Sequence, residues 1–164
     1  MSRVAIVTGG TRGIGAAISV GLKEAGYKVA ASYAGNDEKA SAFKAETGIN
    51  VYKWDVANYE ACVAGIAQVE SDLGPVEVLV NNAAVFPSGP FVEVTAQDLD
   101  NTTRINQRGY FICAQHAARS MIESGGGSIV NIASITWHGG WAEMSPYVAT
   151  KGAIVAMTRA LATE

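Results

Sequence analysis

Five short apolar runs, at 3–8, 27–33, 49–54, 76–81 and 127–133, alternate with helix-patterned stretches at about 13–25, 37–47, 58–72, 95–123 and 146–163. Strict alternation of strand and helix periods leaves few topologies open. Successive βαβ units wind right-handed and build a parallel sheet with helices on both faces. The expectation is one α/β domain over 1–164, a Rossmann-like doubly wound parallel sheet of about five strands. The helix boundaries have local causes. Asn58 precedes the third helix as a cap, Thr95-Ala96-Gln97-Asp98 has the form of a capping box, and Gly26, Gly48 and Gly74 stand just past helix ends. Pro75 stops the third helix, and Gly125-Gly126-Gly127 follows the long one.

A chain of 164 residues that is 49% hydrophobic can bury one real core. Its formal charge of −3, with Lys and Arg scattered, forms no basic stripe and argues against nucleic acid or an anionic membrane as partner. No apolar run has the length of a membrane span, and Met1-Ser2-Arg3 leads straight into Val4-Ala5-Ile6-Val7 without the apolar core of a secretory signal. A cytoplasmic protein is expected. Cys62 and Cys113 are far apart in helix-patterned stretches, read as small buried apolar residues, and neither they nor His116 and His138 have metal-ligand spacing. No metal site and no disulfide framework are expected.

After the first strand comes Thr8-Gly9-Gly10-Thr11-Arg12-Gly13-Ile14-Gly15. Gly9 permits a tight turn, Gly13 lets the backbone approach a pyrophosphate, and Gly15 lets the next helix pack against the strand. That helix's free N–H groups then favour an anion. The plain alternative is a turn with no ligand. A ribose 2′-hydroxyl would call for a carboxylate ending the second strand, and Ala31-Ser32-Tyr33-Ala34 offers none. Arg12 and Lys39 could instead pair with a 2′-phosphate, so NADPH is favoured over NADH. The competing choice makes Asp37 the ribose acceptor, although Asn36-Asp37-Glu38 reads as a helix start.

Near the end of the chain Tyr147 and Lys151 are four residues apart in a helix-patterned stretch, which puts them on one face with Cβ atoms about 5–6 Å apart. An ammonium beside a phenol favours the phenolate. By itself such a pair is equally an ordinary helix pair. Order along the chain changes the reading: glycine turn, Asn-Asn-Ala after the fourth strand, Ser134 after the fifth, then Tyr147 and Lys151.

Those residues resemble the short-chain dehydrogenase/reductase family over the whole chain. The family's Thr-Gly-x3-Gly-x-Gly turn matches Thr8 to Gly15, its Asp-Val pair near adenine matches Asp55-Val56, and its Asn-Asn-Ala-Gly matches Asn81-Asn82-Ala83-Ala84. Ala84 in place of Gly would strain the backbone if φ were positive there. Up to about Ala83 the chain resembles bacterial acetoacetyl-CoA reductases, NADPH-dependent relatives of the 3-oxoacyl-ACP reductases. From Val85 on it resembles broad-specificity alcohol dehydrogenases of the family.

The resemblance implies a catalytic set of Ser134, Tyr147, Lys151 and Asn106, the last holding a water that relays protons to Lys151. With the charge reading above, it implies dinucleotide contacts at Gly9, Thr11, Arg12, Gly13, Ile14, Gly15, Tyr33, Lys39, Asp55, Val56, Asn82, Ala83 and Ala84, besides Tyr147 and Lys151. Each has a duller alternative: Ser134 ending a strand, Asn106 as a polar helix residue, Asp55 capping a turn. The implied activity is reduction of a ketone, or of a 3-oxoacyl thioester such as acetoacetyl-CoA, in a homo-oligomer, dimer or tetramer. The family continues past the length reached at Glu164, with two more strands, a Pro-Gly loop and a substrate lid. A shortened domain is therefore expected, and a non-catalytic nucleotide-binding or assembly fragment is the competing function. The stretch from Ile135 to Pro146 holds Trp137 and Trp141, read either as a wall for apolar ketones or as cover for the sheet end.

Overall fold

Strand β1 (Val4–Val7) is buried along its whole length, and its alternating side chains feed two separate cores. Val4 and Ile6 join Trp54, Cys62, Ile66, Val69, Leu79 and Ile112 on one face of the sheet. Ala5 and Val7 join Val29, Phe43 and Val80 on the other. A strand with apolar residues on both faces belongs at the centre of a parallel sheet covered on both sides. The computed structural model describes residues 3–164 and has that arrangement; Met1 and Ser2, which the sequence reading placed ahead of the first strand, lie outside the described residues.

The sheet has five parallel strands in the order β3-β2-β1-β4-β5, with β2 at Lys28–Tyr33, β3 at Asn50–Lys53, β4 at Val76–Asn81 and β5 at Ser128–Asn131. Register pairs Val7 with Ala31 on one side and with Val80 on the other. Helices α1 (Gly13–Glu24), α2 (Asp37–Thr47) and α3 (Tyr59–Leu73) connect the first four strands. Both expected caps form, Asn58 accepting from the Ala61 N–H and Thr95 closing a capping box with Asp98, and Asn36, in the stretch read as a helix start, accepts from the Lys39 N–H. Gly48 ends α2 with φ 66°, a left-handed conformation that glycine adopts freely.

The long helix expected at 95–123 is interrupted. It runs as α4 (Ala96–Thr103), a wider π turn over Arg104–Arg108, and α5 (Gly109–Glu123). Two further short elements have no counterpart in the sequence pattern, a single 3₁₀ turn at Phe91–Glu93 and α6 at Thr136–Gly139. The chain then enters α7 (Ser145–Leu161), with Pro146 in its first turn, where a missing N–H costs nothing. Cys62 of α3 and Cys113 of α5, remote in sequence, meet with sulfurs 3.8 Å apart in the buried layer between these helices.

Strand order sets the place of the site. From β1 the chain steps outward to β2 and β3, then crosses back to β4 on the other side of β1. Loops leaving the carboxyl ends of β1 and β4 therefore diverge and leave a crevice.

Candidate active site

The crevice is a groove of about 610 Å³. Its walls include Gly9, Thr11, Arg12, Gly13, Ile14 and Gly15 after β1, then Tyr33 and Lys39 after β2. Asp55 and Val56 follow β3, and Asn82, Ala83 and Ala84 follow β4. Thirteen of the fifteen residues assigned to the dinucleotide on sequence grounds thus line one groove; Tyr147 and Lys151 are not among its walls.

Thr8 fastens its two banks together. Its hydroxyl oxygen accepts from the Asn82 N–H at 2.9 Å and the Ala83 N–H at 3.0 Å, while the Asn82 amide donates to the Thr8 carbonyl at 2.9 Å. Sequence reasoning took Thr8 only as the start of a motif; its position at the end of a buried strand was the available signal. Gly15 is required by close approach, because a Cβ there would lie 2.2 Å from the Gly9 carbonyl oxygen and 2.6 Å from the Asn82 amide nitrogen. Gly13 differs: it has φ 52°, and a Cβ built on it would meet nothing within 4 Å, so the turn is open towards the groove. A closely packed helix start beside an open, unbranched backbone suits a pyrophosphate, and the residues present fit a dinucleotide.

At the adenine end suggested by the family motif, Asp55 makes an Asx turn, accepting from the Ala57 N–H at 2.9 Å, and it also lines the groove. It is the one carboxylate among the lining residues. Asp37 lies outside that lining, at the start of α2, where Lys53 (2.8 Å) and Tyr33 (3.0 Å) hydrogen-bond it and hold its carboxyl below the usual range. Ala84 has no positive φ, so the methyl group there strains nothing in the backbone.

Ser134 follows β5, and its oxygen accepts from the Thr136 N–H at 3.3 Å and the Thr136 hydroxyl at 2.9 Å. The hydroxyl–hydroxyl contact can run either way, so the Ser134 O–H can turn to Thr136 or to another acceptor. Asn106, fully buried in the π turn, clamps Val85: its side chain accepts from the Val85 N–H at 2.8 Å, donates to the Val85 carbonyl at 2.9 Å, and reaches the Thr150 hydroxyl at 3.3 Å. Val85 lines the groove, so this amide joins the cofactor crevice to α7.

Lys151 is 1% exposed. Its ammonium donates to the Ile132 carbonyl at 2.6 Å and to the Tyr110 hydroxyl at 3.1 Å, and it lies 5.7 Å from the centroid of the Tyr147 ring. Burial pushes its pKa down to about 8. The helical spacing thus does bring the cation over the Tyr147 ring, but its direct partners are the Ile132 carbonyl and Tyr110, which sequence reasoning missed. Phe86 packs edge-on against Tyr147 with centroids 4.8 Å apart. Trp137 and Trp141 are both exposed rather than covering the sheet. Among the described residues no helix is long and apolar enough to cross a membrane, and no His, Cys, Asp and Glu group could hold a metal ion.

Residues 3–164 match the short chain dehydrogenase family. An acetoacetyl-CoA reductase of Shinella zoogloeoides is 54% identical over 164 residues, covering all of this chain and 68% of that protein. A 3-oxoacyl-[acyl-carrier-protein] reductase of Staphylococcus aureus is 36% identical over 169 aligned positions, covering all of this chain and 69% of the relative. Among solved structures, a short chain dehydrogenase from Bacillus anthracis superposes with a TM-score of 0.93 at 26% identity, covering 98% of this chain and 69% of the other. With the parallel sheet, the glycine turn and the Ser, Tyr and Lys sharing one end of the sheet, the chain belongs to the short-chain dehydrogenase family of oxidoreductases.

Proposed function

We propose that this protein is an NADPH-dependent carbonyl reductase acting on a 3-oxoacyl thioester of the acetoacetyl-CoA type. The observation that carries the reading is a buried ammonium over the Tyr147 ring on α7, a helix that Asn106 links through Thr150 to Val85 in the wall of a groove that fits a dinucleotide. Likeness to acetoacetyl-CoA reductases over the full 164 residues supports the substrate class. Reduced nicotinamide, when bound, supplies the hydride. Gly9 to Gly15 and the start of α1 would hold its pyrophosphate, and Arg12 and Lys39 would meet a 2′-phosphate. Tyr147 gives its proton to the carbonyl oxygen as that oxygen gains charge. Ser134, whose O–H can turn away from Thr136, donates a hydrogen bond to the same oxygen. The Lys151 ammonium stabilises the charge left on Tyr147. Asn106 holds Val85 and Thr150 in place and so fixes the distance between groove and α7.

The same reading places the protein in the cytoplasm as a homo-oligomer. Leu99 on α4 and Phe111 on α5, each about half exposed, supply apolar surface for a second copy.

The test is NADPH oxidation followed by absorbance, with acetoacetyl-CoA and a panel of aryl ketones. Thioester-dependent turnover that falls at least ~100-fold in Tyr147→Phe supports the reading, that being the usual contribution of a placed general acid. NADPH binding without turnover of any carbonyl would point instead to a non-catalytic nucleotide-binding module.

A further inference from the structure

Lys151 has no carboxylate partner among the described residues, although it is 1% exposed. The groups that face its ammonium are Tyr110 of α5, Tyr147 on its own helix and the Ile132 carbonyl just past β5. A buried ammonium needs acceptors, and among the described residues two atoms serve, the Ile132 carbonyl at 2.6 Å and the Tyr110 hydroxyl at 3.1 Å. Tyr110 has one proton and gives it to the same Ile132 carbonyl, at 3.3 Å. Its lone pair is therefore what faces Lys151, and ammonium, phenol and carbonyl close a triangle.

That phenol is itself fixed. Tyr110 is 1% exposed, and its backbone carbonyl accepts from the Asn81 amide at 3.1 Å. Asn81 ends β4 and also donates to the Asn131 side chain on β5 at 2.9 Å. The tyrosine thus hangs from two strands of the sheet. Burial raises its ionisation well above that of a free phenol, so it stays a neutral acceptor while Lys151 titrates.

We propose that Tyr110 is a positioning residue that holds the Lys151 ammonium at the carboxyl end of β5, supplying by a neutral hydroxyl the acceptor that a buried lysine otherwise takes from a carboxylate or water. The catalytic meaning rests on the reductase reading; the contact does not. Without the hydroxyl, Lys151 keeps the Ile132 carbonyl and the aromatic face, whose centroid is 4.9 Å away, but loses the acceptor that favours its charged form.

The experiment is Tyr110→Phe, which removes one oxygen and keeps the ring in its buried site. Lys151 is followed by the pH titration of its ¹³Cε resonance in lysine-labelled protein. The midpoint is expected to fall by about one pH unit, since a hydrogen bond to a charged group is lost. Carbonyl reduction is expected to fall about tenfold in kcat with KM for the ketone changed less than twofold, and its alkaline limb to move down by the same pH interval as the lysine. Should Tyr110→Phe not fold, tyrosine ¹³Cζ labelling of the unsubstituted protein decides: the Tyr110 resonance must follow the Lys151 midpoint. An unchanged Lys151 titration in Tyr110→Phe, or a Tyr110 resonance blind to it, overturns the proposal. If the unsubstituted protein reduces no ketone, the reductase reading fails while the lysine titration still judges Tyr110.

Discussion

An ammonium sealed in the protein with neutral partners alone weighs on folding as much as it serves chemistry. Burial lowers the Lys151 pKa from 10.5 to about 8. Between those values the unfolded chain binds the proton and the folded chain has lost it, so stability rises as pH climbs from about 8 towards 10.5. Below about 8 the folded protein bears the full desolvation penalty. The gain has a ceiling of ~3 kcal/mol, from about 1.4 kcal/mol for each pH unit of displacement. Urea unfolding at pH 7 and at pH 10 should show the increase, and Lys151→Met should flatten it. A wild-type protein no more stable at pH 10 than at pH 7, once the same comparison is made in Lys151→Met, would contradict a depressed lysine. At this scale Tyr147 and Lys151 were legible because their relation is local, four positions on one helix. Tyr110 was not, because its contact with Lys151 spans 41 residues and two helices, and a tyrosine on the apolar face of a helix reads as core.

Elements were legible where a residue beside the boundary causes it. Asn36, Asn58 and the Thr95–Asp98 box all cap the helices they were expected to start. The π turn at Arg104–Arg108 had no such signal, since one extra residue in a helical turn answers to packing from Val85 and α7 and leaves the apolar period nearly intact. Yet that turn carries Asn106, and the two kinds of residue should separate in experiment. Asn106→Leu leaves the part-buried Val85 N–H and carbonyl without their partners and should cost ~2–6 kcal/mol, at ~1–3 kcal/mol for each orphaned group. Because Val85 lines the groove, dinucleotide affinity should fall with it. Asn58→Ala removes only a cap on α3, about 1 kcal/mol, and should leave dinucleotide affinity unchanged. Thermal unfolding with a fluorescence titration of NADPH checks both; equal effects of the two variants on affinity would mean that Asn106 acts through general stability alone.

For the whole molecule, the decisive fact is that the strand order reverses between β1 and β4, so one crevice collects loops that are far apart in sequence. The motifs of those loops were readable one by one; that Thr8 ties the β1 and β4 loops together was not, because it depends on which strands become neighbours. The crevice also has a charge asymmetry: Arg12 and Lys39 stand on its walls with Asp55 as the lone carboxylate, and Asp37 is turned to Lys53 and Tyr33. A ribose 2′-phosphate adds roughly two negative charges that NADH lacks, so cations near it should discriminate between the cofactors, while cations near the pyrophosphate should not. Arg12→Ser with Lys39→Ser is therefore expected to weaken NADPH binding ~10–100-fold and NADH binding less than threefold, the size of one or two charge-assisted contacts. Raising salt should narrow the preference of the unsubstituted protein, because both side chains are exposed and screened. Equal losses for NADPH and NADH in the double variant would move both cations to the pyrophosphate and leave the proposed preference for NADPH without a structural basis.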